Sequence, residues 1–267
     1  MRWIACLLLL AGCQQTGPVA QHDGLPTIVS LNPCADAVLA EVADKQQLLA
    51  ISHYSRDSAS TSMPLDLARS FHSTSGAVEE VLALQPDVVV AGSFLAPATR
   101  AAFERLGMRV ETVDVASNFG EARDQVRTLA ALAGHTDRGE ELVARIDAAL
   151  EASAGHGAPI DTLLWQEGGI VPGPESLVAA ILDHSGFALH SAARGLGQGA
   201  YLPLEQVLAD PPHLLLTSSD ERMLSHPVLG QLSDMRHESF DPSLFYCAGP
   251  SVPRALERLA DIREGLS

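Results

Sequence analysis

The sequence predicts an α/β fold: two Rossmann-like lobes with mainly parallel sheets, joined by one long connecting helix. Three observations lead there. Short aliphatic runs alternate with amphipathic stretches of helical period from Thr27 onward, the pattern of repeated β/α units. The phrase "AVEEVLALQPDVVVAG" (77–92) returns as "PLEQVLADPPHLLLTS" (203–218), each time with a glutamate seven residues ahead of a proline and then a buried-strand run. Between the two copies lies "DRGEELVARIDAALEASAG", whose Leu142, Ile146, Ala149 and Leu150 form one apolar stripe. Such a helix would span on the order of 25–30 Å. A chain that says the same thing twice around one long helix reads as two similar lobes with a connector.

The elements follow in order. "TIVSL" is a short buried strand, and "PCADAVLAEVAD" a helix with Ala35, Val38, Leu39 and Val42 on one face. "QLLAIS" is the second strand, and Ser52 to Thr74 reads as a polar loop. A helix over Ala77–Leu84 is stopped by Pro86, and "DVVVAG" is a strand covered on both faces. "PATRAAFERLG" opens with proline and closes with glycine, as helices prefer, and "MRVETVDV" is the next strand. After "NFGEARDQVRTLAALAG" and the connector, "DTLLWQEG" is a strand and "GPESLVAAILDHSG" a helix. "PLEQVLADPPHLLLTSS" repeats helix, proline, strand. "RMLSHPVLGQLSDM" is expected to be helical, "HESFDPSLF" to lead into a last strand, and "SVPRALERLADIREGL" to close the chain as a helix. The domain expectation is therefore a signal segment at 1–13, a linker at 14–25, a first lobe at 26–134, the connecting helix at 135–155 and a second lobe at 156–267.

Composition removes several functions. The formal net charge is −16, with a single lysine, Lys45, and aromatics make up only 4% of the residues. A nucleic-acid backbone would be repelled by such a surface. "MRWIACLLLLAGC" has the layout of a secretory signal, too short to cross a bilayer, and its Leu-Ala-Gly-Cys end predicts lipidation at Cys13. Two or more acyl chains would hold the protein lastingly at a membrane. Cys34 and Cys247 then remain, and export to an oxidising compartment invites a disulfide between them. Two separate buried thiols are the plain alternative.

The order and spacing of "IVSLNPCADAVL", "LLAISHYSRD", "VEEVLALQPDVVVAG", "YLPLEQVLADPPHLLL" and "YCAGPSVPRALERLA" resemble the helical-backbone (class III) periplasmic substrate-binding proteins of ABC importers, the cobalamin, iron-siderophore and haem type. The resemblance covers nearly all of the chain after the signal. It implies a monomer without a resident cofactor that carries an iron-siderophore, cobalamin or haem between its lobes and hands it to the transmembrane subunits of a permease. It further implies that Glu79 and Glu205, one per lobe, dock onto permease arginines. Helix-start acids favoured by the macrodipole are the ordinary alternative for both.

Open α/β sheets bind ligands in loops beyond their strand ends. The candidates on that rule are Asn32, His53, Tyr54, Arg56 and Phe94 in the first lobe, and Trp165, Gln166, Tyr201 and Tyr246 in the second. Arg56 would balance an anionic siderophore, whereas haem would want His53 or Tyr54 as axial ligand. An inter-lobe Cys34–Cys247 bridge would restrict opening. The histidines show no paired ligand spacing, so no metal site is expected. Ser93 follows a strand, but the G-x-S-x-G elbow is missing, and no HExxH, P-loop or GxGxxG occurs, which weakens an exported hydrolase. A haem- or metal-binding protein of the same fold and a sensor without a transporter stay open.

Overall fold

A computed structural model describes residues 24–266; the predicted signal segment with Cys13, most of the predicted linker and Ser267 lie outside the described residues. Five strands, β1 (Ile28–Ser30), β2 (Leu48–Ser52), β3 (Ser73–Thr74), β4 (Val88–Gly92) and β5 (Arg109–Val113), form an all-parallel sheet in the order β3-β2-β1-β4-β5. A second parallel sheet contains β6 (Ile160–Trp165), β8 (Phe187–Leu189), β10 (Leu214–Thr217) and β11 (Arg236–Ser239), in the order β11-β10-β6-β8. Between them in sequence, β7 (Ile170–Val171) and β9 (Ala200–Tyr201) pair as a small antiparallel ribbon.

The helices are α1 (Pro33–Val42), α2 (Leu65–Arg69), α3 (Val78–Leu84), α4 (Pro97–Arg105), α5 (Phe119–Ala133), α6 (Thr136–Ser153), α7 (Leu177–His184), α8 (His190–Ala193), α9 (Leu204–Ala209) and α10 (Ser251–Glu264). Overlaying the sheet orders pairs β1 with β6, β2 with β8, β4 with β10 and β5 with β11. The repeated phrase is thus α3 leading into β4 in one lobe and α9 leading into β10 in the other, at equivalent places.

Strand composition explains the layering. In β1, β4, β6 and β10 alternate residues face opposite layers, so nearly every position must be aliphatic. Ile28, Val88, Val90, Leu164, Leu214 and Leu216 enter one core with α1, α5, α6, α7 and α10. Val29 and Val89 instead join Val81 and Phe103 on the far face of the first sheet. Leu163 and Leu215 join Trp165 and Val207 on the far face of the second. The inner core is continuous across both lobes: Leu142, Val143, Ile146 and Leu150 of α6 lie in it beside Val38 of α1 and Leu256 of α10. The connecting helix is therefore a shared spine. Its exit is tight, because a Cβ on Gly155 would lie 2.4 Å from the Ser185–Gly186 backbone.

Three expectations need correction. The segment expected as a helix at 222–235 holds only turns and a 3-10 turn at Pro227–Gln231, since Pro227 and the Gly230 region give it no amphipathic run long enough to propagate. The last strand is β11 at Arg236–Ser239, not a strand after Phe245; Phe240–Pro250 is a loop with one 3-10 turn, Pro242–Leu244. The polar loop at 52–74 is more ordered than expected. It contains a 3-10 turn at His53–Arg56, then α2 and β3.

Candidate functional site

The strand ends of both sheets converge on a crevice between the lobes. On the first side, Asn32 caps α1: its Oδ1 accepts from the Cys34 and Ala35 amides at 2.8 and 3.0 Å. Gly92 at the end of β4 lets Asn32 approach closely, since a Cβ there would come within 2.8 Å of Asn32 Nδ2 and displace that side chain. Beyond β5, Asp114 and Val115 form the neighbouring wall, held by Gln125 Nε2 donating to the Asp114 carbonyl at 2.8 Å. From the second side come Gln166 after β6, Ser176 at the cap of α7, and the loop after β11.

That loop is tied across the gap. Cys34 and Cys247 form a disulfide with Cα atoms 5.0 Å apart, joining the start of α1 to the segment before α10. Beside it the Cys247 amide donates to Ser62 Oγ at 3.1 Å, and Arg254 donates to the Ser62 carbonyl at 2.7 Å. The bridge places Phe245 and Tyr246 over the crevice, their rings 5.1 Å apart.

The enclosed part of the crevice measures about 280 Å³. Its first-lobe wall is Asn32, Cys34, Asp114 to Ser117 and Gln125; its second-lobe wall is Gln166, Glu175 to Val178, Gln198, Phe245, Tyr246 and Ala248. It opens into wider spaces of about 490 Å³ along β5 and α5 and about 890 Å³ along α7 and α8. The wall is mostly apolar, with Val115, Leu177, Val178 and the two aromatic rings, and carries amides, hydroxyls and two carboxylates among them. No lysine, arginine or histidine is in it. Tyr246 keeps 40% of its surface exposed, yet partial desolvation, with Glu167, Asp57 and Asp241 adding their negative charge, raises its phenol above the ordinary value. The phenol is thus a neutral hydrogen-bond donor near carboxylates of both lobes.

The expected residues divide into three groups. Asn32, Gln166 and Tyr246 meet in the cavity, with Cys34 and its bridge. His53, Tyr54, Phe94 and Tyr201 are exposed on the lobes and do not line it; Phe94 is 90% and Tyr54 54% exposed. His53 and Tyr54 pair their rings at 4.0 Å, and His53 Nδ1 lies 3.2 Å from the Thr74 carbonyl.

Two expectations fail. Trp165 has no exposed surface: its ring fills the outer core of the second lobe and Nε1 donates to the Leu202 carbonyl at 3.0 Å. It follows a strand end but points to the far face, which strand alternation determines. Arg56, exposed, donates to the Phe71 carbonyl within its own lobe and does not line this cavity, where a counter-charge for an anionic ligand was expected. Glu79 and Glu205 are both exposed in the first turns of α3 and α9. Asp114–Ser117 obeyed the strand-end rule and was legible; nothing in the sequence marks Gln125, Glu175 or Gln198.

A family model described as periplasmic binding protein matches residues 28–235, most of the chain. The chain belongs to the periplasmic binding protein family. Membership is in a family of binding proteins rather than enzymes. A comparison with curated proteins by sequence finds no match. Solved structures share the fold at low identity. The periplasmic heme-binding protein RhuT from Roseiflexus sp. RS-1 is 20% identical with a TM-score of 0.70, covering 90% of this chain and 97% of its own. The vitamin B12 binding protein BtuF of Vibrio cholerae is 17% identical at TM-score 0.70, covering 89% and 96%. The heme binding protein HutB of Vibrio cholerae is 14% identical at TM-score 0.74, covering 89% and 98%.

Proposed function

We propose that this periplasmic binding protein is a lipid-anchored carrier that captures cobalamin, or an iron chelate without net negative charge, between its lobes and delivers it to an ABC permease. The observation that carries the choice of cargo is the wall of the inter-lobe cavity: aliphatic side chains and two aromatic rings interspersed with amides and hydroxyls, with Asp114 and Glu175 and no basic residue. A multiply anionic siderophore would enter a low-dielectric crevice against like charge and without a counter-ion. A cargo rimmed by neutral amides would find partners in Asn32, Gln166 and Gln198 and apolar contact with the Phe245 and Tyr246 rings. The solved neighbour named for vitamin B12 supports cobalamin, and the one named for heme supports the second reading below.

Haem is the second reading, favoured by one observation: the exposed His53–Tyr54 ring pair supplies two side chains able to ligate iron. Titration calorimetry with cyanocobalamin, haem and an anionic ferric siderophore separates the readings. Saturable binding of cyanocobalamin with little salt dependence is expected. Tight binding of the anionic siderophore alone would overturn the cargo assignment, and a haem Soret shift abolished by His53→Ala or Tyr54→Phe would move it to haem. Lipidation at Cys13 is tested by labelled fatty acid incorporation, which Cys13→Ser should abolish.

A further inference from the structure

Under the first-lobe side of the crevice lies a carboxyl group that cargo binding leaves unused. Asp36 in α1 is fully buried. Its Oδ2 accepts from the Ser52 amide at 2.9 Å and the Ser55 hydroxyl at 2.6 Å, while Oδ1 is buried without a hydrogen-bond partner. Ser52 caps the 3-10 turn that presents His53 and Tyr54, Ser55 lies within it, and Ser52 Oγ also accepts from the Tyr54 amide at 3.3 Å. One carboxyl group therefore holds the base of this short, exposed turn.

The surroundings leave the group to its own burial. β1 and β2 carry no titratable residue, and His53, Tyr54 and Arg56 point outward from the turn. On α1 itself Glu41 pairs with Arg145 of α6. On α5 and α6, Glu121 is bound by Ser117, Arg123 by Asp147, Arg127 by Glu140, and Arg138 by Asp44. The other acids of those helices, Asp124, Asp137, Glu141 and Glu151, are exposed. Desolvation raises Asp36 to about 7, opposed in turn by the Ser30 and Ser55 hydroxyls and the Ser52 amide.

We propose that Asp36 is a proton-operated latch, a positioning residue that keeps the His53–Arg56 turn docked while neutral and releases it when ionised. The direction follows from linkage. Docked, the carboxyl group is dry and prefers its proton; with the turn lifted, water replaces Ser55 at Oδ2, the oxygen the turn covers, and the charged form is favoured. Raising pH must therefore populate the lifted turn. Resting on the cargo reading above, which seats cargo beyond the strand ends where β2 also delivers this turn, the latch makes cargo affinity fall as pH rises.

The test follows the Ser52 amide by NMR between about pH 5.5 and about pH 8.5, spanning neutrality, beside cyanocobalamin affinity over the same range. In the parent protein the Ser52 amide should titrate and affinity should fall several-fold toward high pH. Asp36→Asn, neutral throughout, should abolish the Ser52 titration and keep the low-pH affinity at every pH. Ser55→Ala removes a donor that favours the ionised form, so it should move the midpoint upward; this variant decides the matter if Asp36→Asn does not fold. A flat Ser52 profile in the parent, or an Asp36→Asn protein that keeps its pH slope, overturns the latch. If cyanocobalamin binds neither protein at any pH, the cargo reading fails, while the Ser52 titration still decides the latch.

Discussion

Asp36 and Trp165 are both fully buried, yet their costs and benefits oppose each other. Trp165 fills the outer core of the second lobe and satisfies its single donor on Leu202. Trp165→Phe should cost about 1–3 kcal/mol by orphaning that carbonyl and shrinking the ring, and should leave cargo affinity unchanged because the ring never reaches the crevice. Denaturant melts and calorimetry on the same sample check both halves. Asp36 acts on stability with a definite sign. Its folded value, about 7, lies above the ordinary 3.8, so between those values the folded chain holds more protons than the unfolded one. Stability contributed here is present at acid pH, declines as pH rises through that window and is flat above it. The ceiling of the loss is about 4 kcal/mol, reduced as the turn opens to water. Asp36→Asn should remove the slope, seen as a flatter dependence of the denaturation midpoint on pH.

At the scale of elements, the caps have consequences beyond their helices. Asn32 closes the first turn of α1 with two amide bonds and sits against Gly92, so Asn32→Ala should cost about 1 kcal/mol and also disturb the wall that Cys34 anchors. A fall in both the melting midpoint and cargo affinity is the expected result. Much of this level was legible in the chain. Aliphatic runs such as "VVVAG" can only be strands covered twice, and Asn118, Pro97 and Gly134 mark helix ends that the structure keeps. What misled was local apolar content without period: "HPVLGQL" carries leucine and valine but resolves into a 3-10 turn. The site was half legible for a physical reason. A loop after a strand end can be found from sequence, as Asn32, Gln166 and Tyr246 were, but which way a strand's last side chain faces depends on sheet layering. That is why Trp165 was misplaced and Gln198, from a distant loop, was invisible.

For the whole molecule, the lobes are joined three ways: by the shared core along α6, by the Cys34–Cys247 disulfide, and by Ser62 bonded to Cys247 and Arg254. Replacing both cysteines with serine should lower stability by about 2–4 kcal/mol without separating the lobes, and hydrogen exchange should quicken over residues 244–250. A body this constrained cannot signal its cargo by wide closure, which turns attention to its fixed outer features. Glu79 and Glu205 are such features. Each stands in the first turn of the helix at the equivalent position of its lobe, exposed and, among the described residues, without a hydrogen bond or ion pair, whereas neighbouring Glu80 is held by Thr74 and Ser75. If they serve only the helix dipoles, Glu79→Ala and Glu205→Ala should each cost about 0.3–1 kcal/mol and change nothing else. Docking makes a different demand: paired carboxylates gripping two basic sites on a two-fold permease. The double variant should then bind cargo like the parent but lose uptake in cells, with Glu80→Ala as the matched control that keeps uptake. Normal uptake by the double variant would return both glutamates to their helices.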